Sequence, residues 1–152
     1  MPSDRNLNHL ASPFADKIVR VLAEMNRYAK VHQPGVEWVV IEGFRTAAYQ
    51  QSLYAKGRSK PGNIVTFADG VRSKSKHQSG MAVDIAPRKG GVILWNTPSR
   101  HWDYLGHCYR LGGLEWGGDW EKLRDMPHGQ WPAKDKKAYT AAMKELQAKG
   151  LA

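Results

Sequence analysis

The chain has 152 residues, 41% of them hydrophobic and 24% charged, enough to bury the core of one domain. Its 23 Lys and Arg against 14 Asp and Glu leave a net charge of +9, which points to an anionic partner. No apolar run approaches the roughly twenty residues that a membrane-spanning helix needs, so stable membrane insertion is not expected, and the single cysteine excludes an internal disulfide.

In chain order, Ser12-Pro13 opens a helix with a serine N-cap and a proline at its first position. Phe14, Ile18, Val21, Leu22, Met25 and Tyr28 then recur on one face to about residue 31, where Gln33-Pro34-Gly35 breaks the pattern. Residues 36–41 are predicted as a buried strand, and 46–56 as a second helix closed by Gly57. Residues 58–79 form a long Gly/Ser/Lys loop without a core pattern, and a loop of that length in a compact domain usually carries function. Strands at 82–86 and 91–95 follow, then a helix over about 98–111, the pair Gly112-Gly113 and a short strand near 114–116. Asp125-Met126-Pro127-His128 reads as a rigid turn, because Pro127 cannot sit inside a helix and drives Met126 extended. It leads into a strand at Gly129-Gln130-Trp131 that carries His128 into the core. A lysine-rich helix over about 133–148 places Tyr139, Met143 and Leu146 on one side. The sum is one α+β domain over residues 1–152, with its core at about 12–132 and helices packed on a small antiparallel sheet.

Two segments carry the chemistry. His77 and Asp84 are too far apart for two ligands on one helix face, but residues 81–86 alternate as a strand with Ala82, Asp84 and Ala86 on one face. Gly80 lets the chain turn between the loop and that strand, so Asp84 can point back toward His77. Alone, such a pair says little. The second segment adds a nitrogen donor in His128 and a spare carboxylate in Asp125. Two imidazoles and one carboxylate match a catalytic zinc, which keeps a fourth position for water and lowers its pKa toward roughly 7. Asp125 can then take a proton as base, which points to a metal-dependent hydrolase.

The other candidates read as structural. His101 and His107 lie on different faces of the helix at 98–111, while His9 and His32 occupy a tail and a helix end. Cys108 reads as an inert buried thiol. Asp119, after Gly117-Gly118, is a turn residue and ranks below Asp125 as base. Trp116 and Trp120 read first as packing, with a cleft wall as the alternative. Arg58, Lys60, Arg72, Lys74, Lys76, Arg88 and Lys89 cluster in sequence around the proposed site, suited to steering an acidic substrate. No nucleic-acid-binding motif accompanies them, so nucleic acid is not an expected partner.

Ser75-x-His77 with Asp84, followed by Asp125-x-x-His128, resembles the VanY-like zinc peptidases of bacterial cell-wall peptides. That group comprises the D-alanyl-D-alanine peptidases and the phage L-alanyl-D-glutamate endopeptidases, related in fold to the hedgehog signalling domain. Glu42-Gly43-Phe44-Arg45-Thr46, Gln50, Leu53 to Arg58, Pro61 to Thr66 and Leu114 to Trp120 are similar to the phage branch. The resemblance spans about residues 12–132. It implies that His77, Asp84 and His128 are the zinc ligands, that Asp125 is the catalytic acid/base, and that Arg45 binds substrate and steadies the carbonyl oxygen. It also implies that Ser75 lies near the substrate. Arg45 suits its role as a permanently charged planar donor; the alternative is a surface arginine at a strand end before an N-cap at Thr46.

The leading expectation is a phage-type endolysin that uses Zn²⁺ to cut the L-alanyl-D-glutamate bond of peptidoglycan stem peptides and lyse the host. It is expected to be a monomer without a separate wall-binding domain. The N-terminus lacks the apolar centre of a secretory signal, so the expected location is the host cytoplasm until a holin-dependent lesion gives access to the periplasm and wall. The alternatives are a D-alanyl-D-alanine carboxypeptidase or dipeptidase of wall metabolism, a non-catalytic module with structural zinc, and a basic nucleic-acid-binding protein. Five lysines against two acids over residues 134–152 raise docking of the last helix on anionic membrane or wall material; the alternative is a helix packed on the domain.

Overall fold

The structure, a computed structural model, describes residues 3–152. The elements are α1 (Ser12–His32), β1 (Glu37–Glu42), α2 (Ala47–Ala55), β2 (Ala82–Lys89), β3 (Val92–Ile93), α3 (Ser99–Leu111), β4 (Glu115–Trp116), β5 (His128–Gln130) and α4 (Lys136–Ala148). Short 3₁₀ turns cover Leu7–His9, Lys76–Ser79 and Gly117–Asp119. The sheet runs β1-β2-β5-β4 with β3 hairpinned onto β2, and every pairing is antiparallel. The α+β class with helices against a small antiparallel sheet is the one the sequence predicts.

β2 is the central strand, and Ala82 to Ala86 are buried along its length. Val83 and Ile85 join a core with Phe14, Ile18 and Met25 of α1 and Leu105 and Tyr109 of α3. The period-2 alternation turns Asp84 to the opposite face, away from that core. Each such apolar side chain, fully buried, contributes roughly 1.5–3 kcal/mol.

Several local expectations change. Ser12 is the first residue of α1 and not its N-cap, which is Ala11. The Ser12 amide and hydroxyl both donate to the Glu145 carboxylate of α4 at 3.0 Å, so a distant acid takes the capping role. A carboxylate there satisfies an orphan N–H and faces the positive end of the helix dipole. The strand expected at 91–95 shrinks to Val92–Ile93, because β2 runs on to Lys89 and Gly90-Gly91, both at positive φ, make the hairpin turn. β5 begins at His128 itself. Residues 76–79 leave the long loop and form a buried 3₁₀ turn.

α4 packs on the molecule through Ala142 and Leu146, and Lys149 Nζ donates to the carbonyls of Asn8 and Leu10. No helix among the described residues is long and apolar enough to cross a membrane.

Candidate active site

The sheet register assembles the site. Asp84 stands opposite Glu42 of β1 on one side and His128 of β5 on the other. Directly opposed residues have Cβ atoms about 4.5–5.5 Å apart, so pairing alone brings these side chains together. His77 comes from the 3₁₀ turn, which is fixed at both ends. Ser75 Oγ accepts the His77 amide N–H at 3.2 Å, and Gln78 Oε1 accepts the Ser75 N–H at 2.9 Å, forming a capping box. Gly80 closes the turn at φ 67°, with the Ala11 amide where a Cβ would stand. Ser75 thus lines the cleft while serving as a cap.

Hydrogen bonds set the imidazole tautomers. His77 Nδ1 lies 2.7 Å from the Gly43 carbonyl, which can only accept, so Nδ1 carries the proton and Nε2 keeps its lone pair. His128 Nε2 lies 2.8 Å from Gln130 Oε1, leaving Nδ1 free. The two free nitrogens stand 3.6 Å and 3.3 Å from one oxygen, Asp84 Oδ1. One donor atom from each of His77, Asp84 and His128 lies within 4.8 Å of the others. Asp84 Oδ1 is fully buried and accepts no hydrogen bond. A buried, unpaired carboxylate oxygen facing two imidazole lone pairs fits a divalent cation with borderline-soft preferences.

Charge follows the same logic. Burial alone would raise the Asp84 pKa, but His77 and His128 beside it hold the carboxylate well below the usual range. Burial pushes His77 down against the pull of Asp84, keeping it neutral and able to ligate. Burial also opposes charge on His128, yet the Asp84 and Asp125 carboxylates beside it win and raise it. The Asp125 carboxyl is pushed up to about 6 by desolvation and by repulsion from Asp84. Its side chain remains 40% exposed to the cleft, with Oδ2 3.8 Å from His128 Nδ1.

The turn that holds Asp125 is pinned from several sides. Its amide donates to Gly117 O at 3.0 Å, Trp116 Nε1 donates to Met126 O at 2.7 Å, and Tyr109 OH donates to Pro127 O at 2.8 Å. Gly117 must lack a side chain there, since a Cβ would meet the Asp125 carbonyl.

Arg45 is no surface residue. Its side chain is 13% exposed and forks onto Glu42 through Nε (2.6 Å) and Nη2 (3.0 Å), while Nη1 donates to Gln50 Oε1 at 3.1 Å. Nη2 also lies 3.8 Å from Asp84 Oδ2. Gln50 Nε2 in turn donates to Ala68 O at 3.0 Å, tying the arginine to the long loop. Glu42 and Gln130 are site residues that the sequence pattern alone does not single out. The i, i+3 step from Glu42 to Arg45 and the i, i+2 step from His128 to Gln130 on one strand face were the available signals.

The remaining candidates separate cleanly. Trp120 walls the site, its ring centroid 4.9 Å from that of His128, whereas Trp116 is core. His101 is buried against Tyr28 OH at 2.8 Å. Asp119 pairs with Arg110 at 3.1 Å on the surface. Burial pushes the Cys108 thiol up to about 11, which keeps it unreactive. Of the basic cluster, Lys74 and Lys76 reach the cleft, but Arg88 pairs with Glu37 at the far end of β2.

The cleft has two lobes. One, of about 360 Å³, contains His77, His128 and Trp120; the other, of about 390 Å³, extends over Leu53, Lys56 and Arg124. Arg45, Val65, Thr66, Leu123 and Asp125 border both, so the second lobe adjoins the one that holds the candidate ligands.

A family model described as D-alanyl-D-alanine carboxypeptidase matches residues 69–131, the segment that holds His77, Asp84, Asp125 and His128. The peptidoglycan L-alanyl-D-glutamate endopeptidase CwlK of Bacillus subtilis (strain 168) is 39% identical over 102 residues, covering 62% of this chain and 60% of CwlK. The crystal structure of Serratia marcescens L-Ala D-Glu endopeptidase ChiX superposes with a TM-score of 0.57 at 28% identity, covering 88% of each chain. The chain is thus similar to these peptidases in the sequence around the site and in fold. It is also similar to the L-alanyl-D-glutamate peptidase of Escherichia phage T5, at 29% identity over 118 residues and 74% of each chain. It spans about 60% of the length of CwlK.

Proposed function

We propose that this protein is a zinc peptidase that hydrolyses the L-alanyl-D-glutamate bond of peptidoglycan stem peptides. The observation that carries the reading is the convergence of His77 Nε2, His128 Nδ1 and the unpaired Asp84 Oδ1, with Asp125 beside them. Zinc in that donor set supplies Lewis acidity and activates water near neutral pH. Asp125, exposed to the cleft, takes the proton of the attacking water and returns it to the departing amine. Arg45, held flat by Glu42 and Gln50, presents a fixed positive charge to the carbonyl oxygen or to a substrate carboxylate. Lys74, Lys76 and Lys122 in one lobe, and Lys56 and Arg124 in the other, suit an acidic peptide.

An internal bond is favoured over a terminal one because a second lobe adjoins the site at Asp125 and Arg45, giving room for a longer peptide. The similarity to a phage T5 peptidase supports an endolysin role, in which host lysis follows once a holin-like lesion gives access to the wall. Digestion of purified peptidoglycan with wild type and His77→Ala, followed by mass analysis, tests the reading. New glutamate N-termini, absent with the variant, are expected. Release of free D-alanine without glutamate N-termini would move the cut to the terminal pair.

A further inference from the structure

We propose that Gln130 and Glu115 are positioning residues that keep the proton of His128 on Nε2 and so turn its Nδ1 lone pair toward Asp84 and a bound divalent cation. This deepens the metal reading above and rests on it for the cation alone.

The two histidines are locked by different means. His77 is held by a main-chain carbonyl, which no substitution at Gly43 removes. His128 depends on side chains. Gln130 lies two residues on, on the same face of β5, and is 6% exposed. Its Oε1 faces His128 Nε2 at 2.8 Å, while its Nε2 donates to Glu115 Oε1 at 3.1 Å across the β4–β5 pairing.

An amide has a donor end and an acceptor end, so what lies beyond Gln130 decides which end meets the imidazole. Glu115 Oε1 decides it. That oxygen also accepts the Ala133 amide at 3.0 Å, and a carboxylate cannot donate. Flipping Gln130 would set its carbonyl against the carboxylate and its NH₂ against His128. The relay Glu115–Gln130–His128 thus links β4 and β5 with both donor directions fixed from its outer end, and leaves His128 Nδ1 3.3 Å from Asp84 Oδ1. Partners of this kind orient ligating imidazoles, and their loss commonly weakens metal binding about 10–100-fold.

The test compares wild type, Gln130→Met and the exchange variant Gln130→Glu/Glu115→Gln. Zinc affinity is measured by chelator competition, and His128 tautomers in the metal-free protein by ¹⁵N NMR of the imidazoles at a pH high enough to keep the rings neutral. Gln130→Met keeps the bulk but offers no comparable acceptor; it should bind zinc about 10–100-fold more weakly and populate the Nδ1–H form of His128. His77 should stay Nδ1–H in every variant. The exchange variant rebuilds the relay with amide and carboxylate reversed, and should recover the Nε2–H form and at least about ten-fold of the affinity. It also serves as the test if Gln130→Met does not fold. A folded Gln130→Met with unchanged tautomer and zinc affinity within about two-fold of wild type overturns the proposal. So does an exchange variant that folds yet keeps the Nδ1–H form. Failure of wild type to bind zinc defeats the metal reading instead, and the tautomer measurement still decides whether Gln130 positions His128.

Discussion

Asp84 Oδ1 is surrounded by protein yet accepts no hydrogen bond, and a buried polar atom left unpaired costs about 1–3 kcal/mol. Two lone-pair nitrogens aimed at it turn that cost into an affinity for a cation. Asp125 stands three residues from His128, close enough to handle a proton without being needed for ligation. Asp125→Ala should therefore bind zinc as wild type does, yet lose about 10²–10⁴-fold in turnover, checked by metal titration beside peptidoglycan hydrolysis. A metal-loaded variant of undiminished activity would remove Asp125 from the mechanism.

The same residue governs the pH dependence. Without a metal, desolvation and the Asp84 charge push the Asp125 carboxyl up to about 6. A base works ionised, so activity should fall as pH drops through the Asp125 pKa. A cation alongside favours the ionised form, so the acid limb of kcat/KM should lie below 6 once metal is bound. A ¹³C titration of Asp125 before and after zinc addition checks the sign; an upward shift on metal binding would contradict it.

At the scale of elements, the alternation in residues 81–86 made Asp84 and its strand legible, and Pro127 made the turn before His128 legible. What the sequence hid was the pairing register. Opposition of Asp84 to both Glu42 and His128 depends on which strands neighbour β2, a long-range fact with no local signature. The 3₁₀ turn bearing His77 was hidden because a four-residue capping box is too short to show a period. Arg45 read equally well as exposed, since its burial comes from α2 and the loop through Gln50. β5 is held against α3 so closely that a Cβ at Gly129 would enter the Tyr109 ring. Gly129→Ala should cost about 1–3 kcal/mol by overpacking and weaken zinc binding as His128 shifts, measured by urea unfolding and metal competition. A variant unchanged in both would show that the β5–α3 contact does not hold the site.

Across the whole molecule, the two ends of the described chain meet. Glu145 of α4 caps α1 through Ser12, Lys149 holds the Asn8 and Leu10 carbonyls, and Lys76, beside His77, lies 4.6 Å over the Tyr139 ring. α4 is thus a buttress for the turn that carries His77, which the lysine-rich sequence of that helix did not reveal. The serine at the start of α1 read as a cap because the true cap is more than a hundred residues away. Glu145→Ala should destabilise the fold by about 0.5–2 kcal/mol, as loss of an N-terminal cap does, while zinc affinity stays near wild type. Chemical denaturation checks this, and a variant as stable as wild type would show the cap to be without effect.

The fold brings β2, β5 and the His77 turn together to hold one divalent ion. Anomalous scattering at the zinc edge from zinc-loaded crystals tests it most directly. A single strong peak is expected among His77 Nε2, His128 Nδ1 and Asp84 Oδ1, lost in His77→Ala. A peak elsewhere, or none at that position in a protein loaded with one equivalent of zinc, would contradict it.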